Sequence, residues 1–321
     1  MAKVVFVADL FADQYMGGAE LTTEALIEAC PFEHVKINAK DVTIQTLNDH
    51  QDWFWVFGNF SQLNMQLIPS FVSNIRYAVL EYDYKFCKWR SIEKHKQEEG
   101  APCDCTESQL GKLVSAFYYG ANRMFWMSTK QEERYIERFP FLWDKGRVLS
   151  SVFSKEDLRR LEFLKSGSNK GPWLVQKSGS WIKGTEDAID WCEKTEREYE
   201  TFEGLSRQQL LNKMFNAEGF CFLPRGGDTC PRVVIEAKIL GCELKLNKNV
   251  QHANEAWFAQ GTVDSILEHL KKRPAVFWSE INRCMDLTST IGAYTTTYNC
   301  VDQRYPFEEC INSLKVNFDE V

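Results

Sequence analysis

The chain alternates short apolar runs with longer segments in which apolar residues recur at helical spacing. Lys3–Ala8, His34–Asn38, Trp53–Phe57, Tyr77–Glu81 and Arg123–Met127 read as strands. Val4–Val7 and Trp53–Phe57 are apolar at consecutive positions, the pattern of strands covered on both faces. Helical spacing fills the gaps over about 19–29, Leu63–Ser70 and Ser108–Ala116. This βαβα order predicts a parallel sheet between two layers of helices. The pattern breaks near Ser150–Phe153, and Ser166–Pro172, SGSNKGP, has the composition of a linker. It then restarts. Strands are expected at Trp173–Gln176, Tyr199–Phe202, Phe220–Leu223 and Glu243–Leu246, with helices over Thr185–Cys192, Ser206–Asn216, Pro231–Leu240 and Val263–Lys272. The expected fold class is α/β, with two Rossmann-like domains. The first covers 1–154, a linker 155–172, the second domain 173–285, and a C-terminal segment 286–321.

The sharpest local signal is Gly219–Glu243, GFCFLPRGGDTCPRVVIEAKILGCE. A buried strand leads through a glycine turn into a helix opened by Pro231, whose missing N–H costs nothing in the first turn, and closed by Gly241. Unpaired N–H groups at Thr229, Cys230 and Arg232 make that helix end an anion site. Asp228 stands at its mouth, and Glu236 follows after seven residues. A diphosphate at the helix end with two carboxylates gripping hydroxyls makes a nucleotide-sugar site.

Further segments carry candidate chemistry beside a plainer reading. In Met16–Glu20, MGGAE, Gly17 and Gly18 let the backbone approach a phosphate or sugar, with Glu20 in the first helical turn; the plainer reading is a tight turn. In Lys177–Gly184, KSGSWIKG, Lys183 offers a cation to phosphate oxygens, or is a solvated loop lysine. Glu81–Arg90, EYDYKFCKWR, gathers Asp83 as an acceptor-orienting group or general base, and Tyr82, Tyr84 and Trp89 as rings to stack on a sugar. Those rings equally suit an irregular loop anchored on the first domain. His95, in a lysine-rich stretch, reads as a solvated histidine or as a base on the acceptor side. Cys87, His95, Cys103 and Cys105, spaced C-x7-H-x7-C-x-C, are either free thiols with a histidine or four soft ligands for zinc. In Val250–Phe258, Trp257 is expected to face the core and Asn254 to cap, rather than His252 to reach a site.

The strand–turn–helix with Asp228 and Glu236, the MGGAE turn and the KSGSWIKG loop resemble retaining nucleotide-sugar glycosyltransferases of the GT-B fold, family 4-like. That family carries Glu, seven residues, then Glu; here the first is Asp228, one methylene shorter. The resemblance covers most of the chain and implies two parallel sheets facing across a cleft, with C-terminal helices, Pro306–Val316 here, crossing back to the first domain. It implies that Asp228 contacts the transferred sugar and Glu236 the ribose. Lys183, with Lys177 or Ser178, would face the donor diphosphate. Gly204 and Leu205, in Glu203–Met214, would lie against the base through backbone groups. The reaction implied retains configuration and needs no cofactor or metal, the donor being a nucleotide-diphosphate sugar. A rival is a GT-B nucleotide-sugar-binding module that has lost catalysis.

At 321 residues, 44% hydrophobic and 26% charged, the chain has the makings of a globular protein with a sizeable core. A net charge of −7 argues against general nucleic-acid binding, and no apolar run is long enough to span a bilayer. The first residues read as a strand rather than an export signal, so a cytoplasmic location and free thiols for the eleven cysteines are expected. The absence of G-x-G-x-x-G after the first strand disfavours a dinucleotide oxidoreductase, and no acid/base set supports a sugar epimerase. The acceptor stays open among a glycan, a small molecule, a protein and a modified base.

Overall fold

The computed structural model describes residues 2–165 and 167–291, with side chains to residue 286. In the first half the chain runs β1 (Lys3–Ala8), α1 (Gly18–Glu28), β2 (Glu33–Asn38), α2 (Ile44–Asp49), β3 (Phe54–Phe57), α3 (Ile68–Asn74) and β4 (Arg76–Glu81). It continues through α4 (Ile92–Glu99), α5 (Gln109–Gly120), β5 (Arg123–Trp126), α6 (Thr129–Arg138), β6 (Gly146–Val148) and α7 (Lys155–Leu164). The second half is β7 (Trp173–Gln176), α8 (Thr185–Lys194), β8 (Tyr199–Phe202), α9 (Arg207–Asn216), β9 (Gly219–Phe222), α10 (Arg232–Ile239), β10 (Glu243–Leu246), α11 (Ala256–Ala259) and α12 (Val263–Ile291).

All pairings within both sheets are parallel. The orders are β2-β1-β3-β4-β5-β6 and β10-β9-β7-β8. Consecutive apolar residues explain how each sheet is covered twice. Val4, Phe6 and Ala8 enter one core, while Val5 and Val7 enter another on the opposite face. Each order reverses once, between β1 and β3 in the first sheet and between β7 and β9 in the second. A doubly wound sheet opens a ligand crevice outside the strand ends at such a point.

Three readings of the sequence change. The segment 155–172, taken as a linker, opens with helix α7, capped by Ser154 and burying Leu158 and Leu161. The backbone of Ser168 and Gly171 then bonds to Phe215 and Asn216. The helix expected to end at Lys272 runs on to Ile291, through Pro274. Finally, α10 begins at Arg232, with Pro231 as its cap rather than its first residue.

Helix α12 crosses between the halves. Ile266, Leu267 and Leu270 join the core that holds Val234 and Ile235. Past Pro274, Phe277 packs on Phe125, and Trp278 lies edge-on to Phe6 and Phe32 and donates to the Leu26 carbonyl. The crossing expected at Pro306–Val316 lies outside the described residues.

Candidate active site

The motifs singled out in the sequence leave the sheets at their switch points. β1 leads to Gly17–Gly18 and β3 to Gly58–Asn59. Asp9 ties the two loops together by accepting from the Ser61 and Gln62 amides. β7 leads to Lys177–Gly184 and its neighbour β9 to Gly226–Asp228. There Lys183 Nζ lies 2.7 Å from Asp228 Oδ2, with the side chains 32% and 13% exposed. The Asp228 backbone is fixed by Asn249 and Gln251, so its carboxylate is presented from an ordered turn.

The carboxyl ends of the two sheets face one another and touch. Thr229 Oγ1 donates to the Tyr82 carbonyl at 2.7 Å, and the Tyr82 hydroxyl bonds Thr23 of α1. Ser151 Oγ donates to the Cys230 carbonyl at 2.6 Å. Gly18 abuts Arg232, to whose Cδ an added Cβ would come within 3.8 Å. Glu93 accepts from the Gly227 amide at 3.1 Å and pairs with Arg134 at 2.8 Å. The glycines allow this close approach: a Cβ on Gly226 would meet Ser91 Oγ at 2.7 Å, and one on Gly227 would push aside the side-chain ends of Gln251 and Arg134. Burial would raise the Glu93 carboxyl, but Arg134 and the Gly227 amide outweigh it and hold it below its usual value. On the α1 side, burial raises the Glu20 carboxyl, against the lowering influence of Asn59 and Arg90.

Glu236 differs from expectation. Instead of standing open for a ribose it is 0% exposed, with Arg207 Nη1 2.6 Å from its Oε1 and Arg232 Nε 3.8 Å away. Asp157 of α7 completes the network through Arg207 and Arg232. Burial lowers the Arg232 guanidinium, whereas for the half-buried Arg207 the carboxylates of Glu236 and Asp157 outweigh burial and raise it. Arg207 was not singled out from the sequence, although it opens α9 directly after the Gly204–Leu205 turn. Gly204 has a positive φ of 63° and open space around it, and Leu205 packs its side chain on the core. Lys177 lies at the surface beside Glu203, and the Ser178 amide donates to Thr185.

On the acceptor side the loop after β4 is more tightly held than its composition suggests. Asp83 pairs with Arg90 and lies 3.7 Å from Lys85. Tyr84 is buried, its hydroxyl accepting from Arg134 and Gln251, so it offers no face to a sugar. Trp89 donates to Glu99 with Lys94 over its ring. His95 is not solvated: it is 2% exposed and turned towards Cys87 and Cys105, because the loop folds its four soft side chains inward. The ligand atoms of Cys87, His95, Cys103 and Cys105 all lie within 4.8 Å of one another. His252 is fully buried against Trp257 and Phe258 and does not reach the site; Trp257 is half-buried against the core, but Glu255 rather than the expected Asn254 caps α11. Glu93, Arg134 and Gln251, which join the halves, carry no local sequence signal for that role.

No family model matches the chain, and no curated protein matches it. Among solved structures it is similar to the lipopolysaccharide outer core galactosyltransferase WaaB in its apo form. Identity is 7%, coverage 89% of this chain and 99% of that one, and the TM-score 0.51. It also matches Anabaena HepE in complex with UDP-glucose, at 12% identity over 90% of this chain and 100% of that one, with a TM-score of 0.48. None of the described helices is long and apolar enough to cross a membrane. Two parallel sheets meeting at their carboxyl ends, a returning C-terminal helix and the likeness to WaaB along nearly its whole length make this a GT-B fold.

Proposed function

We propose that the chain transfers a sugar from a nucleotide-diphosphate donor to an acceptor hydroxyl, with retention and with protein cations rather than a divalent ion at the diphosphate. One observation carries this reading: Lys183 and Asp228 meet at 2.7 Å on two loops leaving adjacent strands at a switch point. Breaking the anomeric bond leaves negative charge on the diphosphate and positive character on the sugar. Lys183 and the amides opening α10 stabilise the first. Asp228 holds sugar hydroxyls so that the acceptor attacks from a fixed face. Without donor the two side chains neutralise each other; with donor each turns to its own part of the ligand. Glu236 takes the ribose in this reading, with Arg207 giving way, and Gly204–Leu205 borders the base. On the acceptor side Asp83 works beside Arg90 and Lys85. The shared fold with a galactosyltransferase supports the reading, but folds host many functions and the weight rests on these residues.

A thermal-shift screen against UDP-, GDP-, ADP- and dTDP-sugars tests it. One donor should raise Tm, and the shift should vanish in Lys183→Ala and Asp228→Ala. In the active enzyme Lys183→Ala should lower kcat by roughly a hundredfold or more, as for loss of a group facing developing charge. No shift with any donor, in folded protein, would sink the reading. The closure of Glu236 by Arg207 favours a second reading, a nucleotide-sugar-binding module without turnover. Donor binding without donor hydrolysis or transfer would select it.

A further inference from the structure

We propose that Cys87, His95, Cys103 and Cys105 form a structural zinc site that fixes the first-domain loop against the donor turn. The excursion from Tyr82 to Ser108 is anchored at its start by the buried rings of Tyr84 and Phe86, and beyond them its inward-facing groups are mainly the four of this set. Its helix α4 is polar and buries only His95, and the other three residues of the set are buried cysteines, all of them free thiols.

The ligand atoms are close enough to gather round one tetrahedral ion with small side-chain adjustments. Zinc bound at about 2.3 Å to sulfur and about 2.0 Å to nitrogen sets a sulfur and a nitrogen roughly 3.6 Å apart, and two sulfurs roughly 3.8 Å apart. His95 Nδ1 lies 3.4 Å from Cys105 Sγ and 3.7 Å from Cys87 Sγ, with all four atoms inside 4.8 Å. The imidazole is oriented for this. Nδ1 meets the sulfurs while Nε2 faces the exposed Asp104 Oδ1 at 3.7 Å, just beyond hydrogen-bond distance, where a small rotation would make it the outer carboxylate of a metal-bound histidine. The Lys88 amide donates to Cys105 Sγ at 3.5 Å. Three sulfurs and one imidazole in a closed set select zinc over hard cations. Ligands this close surround a single ion rather than a multi-iron cluster.

The site has a reach beyond its own loop. Between Cys87 and His95 the chain carries Ser91, which caps α4, and Glu93, which holds the Gly227 amide and Arg134. The ion would therefore set the position of the residues that press on the turn bearing Asp228. This inference stands apart from the glycosyltransferase reading, because metal content is measured without any donor.

The test is elemental analysis of the full chain expressed with zinc or with cobalt and dialysed against metal-free buffer. One zinc ion per chain is expected, and the cobalt form should show the thiolate charge-transfer and strong d–d bands of a tetrahedral site. Asp104→Asn, an exposed change that keeps every ligand, should weaken zinc binding by about ten- to a hundredfold. Cys103→Ser should lose most of the metal, and Cys192→Ser, in the second domain, none. Folded wild-type protein without bound metal, equal loss in Cys103→Ser and Cys192→Ser, unchanged zinc affinity in Asp104→Asn, or an iron–sulfur chromophore would each overturn the proposal.

Discussion

His252 shows what a single buried group does to the pH response. Neither ring nitrogen has a hydrogen-bond partner, and burial first, then Lys238, lowers the imidazole to about 3 from 6.5. Below pH 6.5 the unfolded chain takes up a proton that the folded chain refuses, so stability falls as pH drops from 6.5 towards about 3. His252 alone should remove about 1.4 kcal/mol per pH unit across that window. Urea titrations at pH 7 and pH 5.5 should show a smaller loss for His252→Phe than for the wild type; an equal loss would refute it. Such residues were partly legible. The apolar neighbours of His252 pointed to packing, and the strand ends put Asp228 and Lys183 on neighbouring loops. Arg207 and Glu93 were not legible, because their partners lie far along the chain and no local spacing records them. His95 was misjudged for the same reason: its sequence neighbours are charged, while its spatial neighbours are sulfurs.

Among the elements, α7, α9 and α10 are joined by charge as well as by apolar packing. Arg207 at the start of α9 pairs with Glu236 of α10 and Asp157 of α7, and Arg232 closes the set. Arg207→Ala would leave the buried Glu236 carboxylate with only the more distant Arg232, 3.8 Å away, and the loss should be about 3 kcal/mol by chemical denaturation. Arg207→Met with Glu236→Leu should recover most of it, since an apolar pair of similar volume replaces a buried ion pair at little cost. If the single and double variants lose equally, the pair is not what holds these helices. The central strands were easy to anticipate because their apolar runs are covered twice, as in β1, β3 and β9. Strand β6 was missed because it is only three residues long and lacks a buried run. Helix α7 was missed because a largely charged segment buries only two residues, one turn apart.

For the whole molecule, one apolar core runs through both halves, with Phe6 and Phe125 in the same cluster as Phe220, Val234 and Trp278. Calorimetry should therefore show a single unfolding transition rather than one per half. Trp278→Ala should cost about 3–5 kcal/mol and lower that transition as a unit; two separated transitions would contradict a shared core. Bringing Phe277 and Trp278 back onto the first sheet also makes folding incomplete until the chain's later residues have been synthesised. A ribosome releasing only the first 165 residues presents Phe6, Phe32 and Phe125 to water. That nascent half should associate with chaperones, and adding a peptide spanning 263–291 should render it soluble.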